Sequence, residues 1–224
     1  MMNRLSILLL TVILVFSGLA CTRVDKQYWD NGKLKSEIPY KNGKIEGMAI
    51  WYYENGNKYY EVIYVNEKLQ GTANKWFENG LLQSQEQYAD DMKNGKSITW
   101  NTKGRKIEER NYLNDTLHGE FYNWYDNRQM QIQGEFLHGN MDGKWFFWDA
   151  IGNLIGEAEY ENGTGVQKKY SPEGKLVGKL NYLDNHKHGK EIHYDPEGNI
   201  LKEVIYEHGE FIKEIEYGTD SENN

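Results

Sequence analysis

The feature that most constrains this chain is a clock. Glycines stand at 47, 71, 95, 119, 143, 165 and 189, in steps of 24 residues with a single step of 22. A second series occupies 32, 56, 80, 104, 152, 174 and 198, with Arg128 in its one missing place. Aromatics keep the same time at Tyr28, Tyr52, Trp76, Trp100, Trp124, Trp148, Tyr170 and Tyr194. A second aromatic row runs through Tyr40, Tyr64, Tyr88, Tyr112, Phe136, Tyr160, Tyr182 and Tyr206. The short step comes from Tyr160–Gly165, a connection two residues shorter than its equivalents. A period held this long means one supersecondary unit, stacked so that each copy buries its neighbour.

Each unit reads as a β-hairpin. Residues 47–56 run through Met-Ala-Ile-Trp-Tyr-Tyr into Glu-Asn-Gly, a strand-forming stretch ending on a turn whose glycine needs positive φ. A second strand follows, such as Lys58–Tyr64, and a second turn closes the unit at Asn42-Gly43, Asn114-Asp115, His138-Gly139, Asn162-Gly163 or His208-Gly209. The expected fold is all-β: an open, single-layer antiparallel meander of about eight hairpins and roughly 16 strands. At about 4.8 Å per strand it would be on the order of 75 Å long. Pro39 is expected on an edge strand, where a missing donor is tolerated. The charged stretch 211–217 is expected to discourage edge pairing at the other end.

Alternation assigns the faces. First strands carry apolar pairs such as Ile50 with Tyr52 and Ile98 with Trp100; second strands carry Val62 with Tyr64 and Val204 with Tyr206. Glu37, Glu61, Glu109, Glu157 and Glu203 are interleaved. Period-2 alternation predicts one packed face holding both aromatic rows, including Tyr52, Trp76, Trp100, Trp124, Trp148, Tyr170 and Tyr194, and one wet face. The alternation breaks at Phe121, Tyr125, Trp145 and Phe147, with a smaller copy at Trp51, Tyr53 and Phe77. These rings fall on the wet face as an aromatic patch, the usual mark of a contact site, unless curling buries them.

The N-terminus reads as an address. Arg4 precedes the apolar run 5–16, too short for a comfortable membrane span, and Ser17-Gly-Leu-Ala-Cys21 follows. This resembles the lipobox of bacterial lipoproteins, with Gly18 where an aliphatic residue is usual. The resemblance implies cleavage of residues 1–20 and lipidation of Cys21, the chain's single cysteine. It implies a bacterial envelope location, on the outer membrane or the outer face of the cytoplasmic membrane. Residues 21–26 would then be a tethered linker, 27–217 the repeat domain and 218–224 a polar tail.

The run Gly–four residues–aromatic–three residues–Gly–seven residues–Tyr, followed by an Asn-Gly-like turn, resembles the MORN-type repeat. It is similar to the bacterial YwqK-family variant, often labelled antitoxin. That resemblance covers residues 27–217 and implies a non-enzymatic scaffold whose partner is another protein, a toxin or an envelope component.

Composition closes other routes. One cysteine excludes a disulfide framework. A formal charge of −8 argues against nucleic acid. An open sheet offers few water-excluded pockets, so no catalytic residues and no cofactor are expected. His118, His138, His186, His188 and His208 share one sheet edge. Repeats about 10 Å apart are too widely spaced for one ion, so no metal is expected and a metal-dependent hydrolase ranks last. A glycan-binding protein, using the aromatic face to stack on sugar rings, is the alternative to a protein-binding scaffold.

Overall fold

The computed structural model describes residues 21–217. The expected signal segment 1–20 and tail 218–224 lie outside them. The described residues form one sheet of 19 strands and no helix. In chain order these are β1 (Thr22–Tyr28), β2 (Leu34–Lys41), β3 (Lys44–Ile45), β4 (Gly47–Tyr52), β5 (Lys58–Val65), β6 (Lys68–Trp76), β7 (Leu82–Ala89), β8 (Met92–Trp100), β9 (Lys106–Leu113) and β10 (Thr116–Leu117). They continue as β11 (Gly119–Trp124), β12 (Met130–Leu137), β13 (Asn140–Trp148), β14 (Leu154–Glu161), β15 (Thr164–Tyr170), β16 (Leu176–Leu183), β17 (His186–Tyr194), β18 (Ile200–Glu207) and β19 (Glu210–Glu216). Neighbours pair antiparallel along the chain, giving the expected open meander. The strand count exceeds 16 because β3 and β10 are short leading pieces of β4 and β11, and because β19 adds a half-unit.

Two turns alternate. Between units, the central residues Asn42-Gly43, Asn66-Glu67, Asp90-Asp91, Asn114-Asp115, His138-Gly139, Asn162-Gly163, Asp184-Asn185 and His208-Gly209 all have positive φ. Their values, 45–54° then 63–91°, are those of the type I′ turn, whose twist matches that of flanking strands. Within units the turn is longer. The Gly56 amide donates to the Tyr53 carbonyl at 2.9 Å, and the Tyr53 amide donates to Asn57 O at 2.8 Å. A bulge beside this turn shifts the register at Trp51/Tyr52, and the same shift recurs at Lys75/Trp76 and Phe147/Trp148.

That register corrects the face assignment. Ala49 lies opposite Val62, Gly47 opposite Tyr64 and Ile50 opposite Glu61. Residues directly opposed share a face. The two aromatic rows therefore stand on opposite faces. Val62 and Tyr64 share theirs with Ala49 and Trp51, whereas Ile50 and Tyr52 share theirs with the glutamates. Each first-strand aromatic keeps one place in the register, as in Trp76 opposite Leu82, Trp100 opposite Lys106, Trp124 opposite Met130 and Trp148 opposite Leu154.

The tyrosine face is the packed one. Ala49 and Val62 are 0% exposed although the described residues form a single sheet, so larger side chains of neighbouring strands cover them. Trp145, Ala158, Tyr160, Leu180 and Val204 continue the buried strip.

Two further expectations are corrected. Residues 22–26 are part of β1, paired to β2 from Thr22↔Lys41 onward, because Thr, Val and Tyr at 22, 24 and 28 suit a strand. Pro39 is not on an edge: β2 lies between β1 and β3/β4, and the missing donor falls at the break between β3 and β4. There the Glu46 amide donates to Pro39 O at 3.1 Å.

Candidate interaction surface

The break in alternation places a cluster of rings in the middle of the tyrosine face. Phe121 from β11, Trp145 and Phe147 from β13, and Phe136 from β12 meet there. Trp145 stacks on Phe121 at 5.8 Å and on Phe147 at 6.4 Å, and meets Phe136 edge-on at 5.1 Å. Tyr160 and Tyr182 extend the cluster, with centroids 5.5 Å apart. Trp145 is its hub and is 4% exposed, its indole Nε1 donating to Asp142 O at 3.1 Å. Phe121, Phe136 and Phe147 are half-buried around it.

Of the rings expected on the wet side, the structure therefore gathers Phe121, Trp145 and Phe147, and it does so on the tyrosine face. Trp51 is on the same face farther along, 5.7 Å from Tyr60. Tyr53 and Tyr125 stand at turns and act between units. Their hydroxyls donate to Trp76 O at 2.8 Å and Trp148 O at 2.9 Å.

Sequence reasoning missed Gly134. A Cβ there would sit 2.2 Å from the Trp145 ring, so only glycine lets the indole lie flat on β12. The signal was present. Equivalent positions hold Ile38, Val62, Ala158, Leu180 and Val204, while Gly134 offers no side chain at all. Arg110 was missed for the same reason. It occupies this series next to Phe121, its guanidinium carbon 5.8 Å from that ring, with Nε buried and unpartnered. Burial pulls the Arg110 guanidinium down, but the pairing with Glu108 prevails and holds it above its ordinary value. The surface thus joins apolar rings to a fixed cation.

The opposite face is a ladder of ion pairs between rings. Glu109 meets Lys106 at 2.8 Å and Lys96 at 2.5 Å; Glu157 meets Lys168 at 2.9 Å and accepts from Tyr170 Oη at 2.7 Å. Glu37 accepts from Tyr52 Oη at 2.9 Å and pairs with Lys26. Burial, then the hydrogen bond to Glu37, pushes the Tyr52 phenol up to about 12. Burial tends to raise Glu109, but its two lysines outweigh that and hold it below the usual carboxylate range. Hydrogen bonds from Lys168 and Tyr170 lower Glu157 in the same way. Carboxylates engaged like this tie neighbouring strands together. Lysines also cover the tryptophans, with Lys106 Nζ 4.2 Å from the Trp124 ring centroid and Lys58 Nζ 5.3 Å from that of Trp76.

A half-open cleft of about 830 Å³ lies on this second face, lined by Lys144, Phe146, Glu157, Glu159, Val166 and Lys168 among others. It sits at the short unit, where β14 pairs β15 without the bulge present at the equivalent β5–β6, β7–β8 and β16–β17 junctions. Among the described residues no group of three or more His, Cys, Asp or Glu side chains is arranged to hold a metal. Cys21 is exposed, and its amide donates to Asn42 Oδ1 at 3.1 Å, so any tether would leave directly from the sheet edge.

No curated protein matches the chain. Five of its segments, residues 26–42, 45–66, 141–162, 164–184 and 187–208, match the family described as MORN repeat variant, and the open single-sheet meander is consistent with repeats of that type.

Proposed function

We propose that this protein is a lipid-anchored scaffold of the bacterial envelope that captures a protein partner on its tyrosine face. The observation that carries this reading is the half-exposed ring cluster around Trp145, set beside a guanidinium with a buried, unspent donor. Aromatic rings and arginine are the residues that dominate protein contacts. The repeat itself supplies the rest: a stiff surface that loses little freedom on binding. Positions 86, 110 and 134 hold Glu, Arg and Gly where most units hold an aliphatic residue, so the sequence departs from its own pattern at this surface. The antitoxin resemblance supports a toxin as the partner, and the lipobox-like end supports anchoring through Cys21.

The test uses the products of neighbouring genes in titration calorimetry with the full chain. One of them is expected to bind, and Phe121→Glu is expected to weaken it by at least about tenfold, the scale of a single hot-spot ring. An unchanged affinity in Phe121→Glu, with the fold intact by circular dichroism, overturns the surface. Cys21→Ser is expected to move the protein from the membrane to the soluble fraction.

A second reading has its own observation: Tyr52, Trp76, Trp100, Trp124 and Trp148 share one register position on the other face, a row on which sugar rings could stack. Quenching of tryptophan fluorescence by polysaccharide, with Phe121→Glu without effect, would favour it.

A further inference from the structure

The chain has six histidines, and four of them form two pairs at equivalent places three units apart. The rings of His118 and His138 are 5.2 Å apart between centroids, and those of His188 and His208 are 5.0 Å apart. Unit spacing alone would keep them farther apart. The inter-unit turn closes the gap by leaning back on the unit before it. The Gly139 amide donates to Leu117 O at 2.8 Å, and the Gly209 amide donates to Lys187 O at 2.8 Å. Each turn histidine is thereby set against the histidine that follows the contacted carbonyl.

The same pair of positions is a weld elsewhere. The Asn66 amide donates to Glu46 Oε2 at 2.7 Å, Gln70 Nε2 to Asp90 Oδ1 at 3.1 Å, Asn94 Nδ2 to Asn114 Oδ1 at 3.1 Å, and the Asn162 amide to Asp142 Oδ1 at 3.0 Å. Of the two histidine pairs, only the second keeps such a bond, and a long one. The His208 amide approaches His188 Nδ1 only at 3.4 Å, and His118 Nδ1 is buried with no partner. In the first pair a nitrogen that elsewhere would be spent on the weld is left over. A further imidazole, His186, lies over Gly209 beside the second pair, with its own Nδ1 at Asp184 O.

We propose that each histidine pair is a two-imidazole site for a late first-row divalent cation such as zinc, nickel or copper, with water completing the coordination. Imidazole suits these ions. Two imidazoles on one tetrahedral ion, with metal–nitrogen distances of about 2.0–2.1 Å, have ring centroids roughly 5 Å apart, the separation both pairs already show. No third protein ligand is arranged at either pair among the described residues, so the sites are open and exchangeable. An ion would supply the missing weld at the first pair and reinforce the long one at the second, locking each turn to the preceding unit and stabilising the sheet by mass action.

Equilibrium dialysis of the tag-free full chain against zinc and nickel tests this. Two ions per chain are expected. His118→Asn with His138→Asn, the pair already used at Asn94 and Asn114, should bring the number to one. Adding His188→Asn and His208→Asn should bring it to none and abolish the rise in denaturation midpoint with zinc. Copper bound to the wild-type chain should show hyperfine coupling to imidazole nitrogen. If the asparagine pairs do not fold, His118→Gln with His138→Asp, copying Gln70 and Asp90, takes their place. Uptake that is absent at millimolar zinc, or unchanged when both pairs are replaced, overturns the assignment.

Discussion

Single residues in this protein are judged by the left-handed backbone the turns demand. Arg128 holds φ 74° at a place where the other units have glycine. A side chain in that region costs roughly 1–2 kcal/mol, which glycine avoids while losing more freedom on folding. Arg128→Gly is therefore expected to stabilise the chain by about 0.5–1 kcal/mol, read as a higher urea midpoint with an unchanged slope. Gly163 is the opposite case. With no side chain there to accept the Met141 amide, Asn185 Oδ1 reaches across the short unit and accepts it at 2.8 Å. A Cβ at 163 would sit 2.8 Å from the Asn185 amide nitrogen, so this glycine and that asparagine belong together. The glycine and the shortened step are visible in sequence, but the asparagine that compensates, 44 residues from the Met141 amide it serves, is not. Only the stacking of turns shows that it comes within reach.

At the scale of the strand, the charged ladder sets the response to pH. Glu37, Glu109 and Glu157 all titrate below the usual carboxylate range when folded. A depressed carboxylate contributes stability that is present above its unfolded pKa, about 4.3, and is lost as pH falls through the folded value. The urea midpoint is expected to stay nearly level from neutral pH down to about 5 and to drop below that. Glu109→Gln should cost about 1 kcal/mol at neutral pH, because Lys96 and Lys106 are exposed enough to be rehydrated, and the difference from wild type should vanish in acid. A gap that persists at low pH would mean that Glu109 acts through packing. The glutamate spacing was readable from the strands, but its partners were not. Lys96 comes from β8, the neighbouring strand, and pairs with β9 only in the register the bulges impose.

For the whole molecule, backbone pairing runs between strands adjacent along the chain and side-chain contacts reach only a unit or two farther, so the sheet behaves as a one-dimensional stack. Removing residues 72–95, one full period, should leave the remaining units in register and give a shorter sheet with a strand-type circular dichroism spectrum and a cooperative, lower melting transition. Removing 72–83 instead joins a first-strand position to a second-strand one and should abolish that transition. If both deletions behave alike, the unit assignment is wrong.

The clock, the turn residues and the alternation determined the hairpin, its repetition and the open meander, because these depend on local backbone preference and on neighbours a few residues away. They also located the rings at 121, 145 and 147. Which face those rings occupy was decided by the tertiary structure. A one-residue bulge beside each turn sets second-strand Val62 opposite Ala49 and not opposite Ile50, and one step of register moves every side chain to the other side. Burial followed from the same cause: Trp145 lies over Gly134 under rings from β11, β12 and β14, an arrangement of several strands that no single repeat encodes.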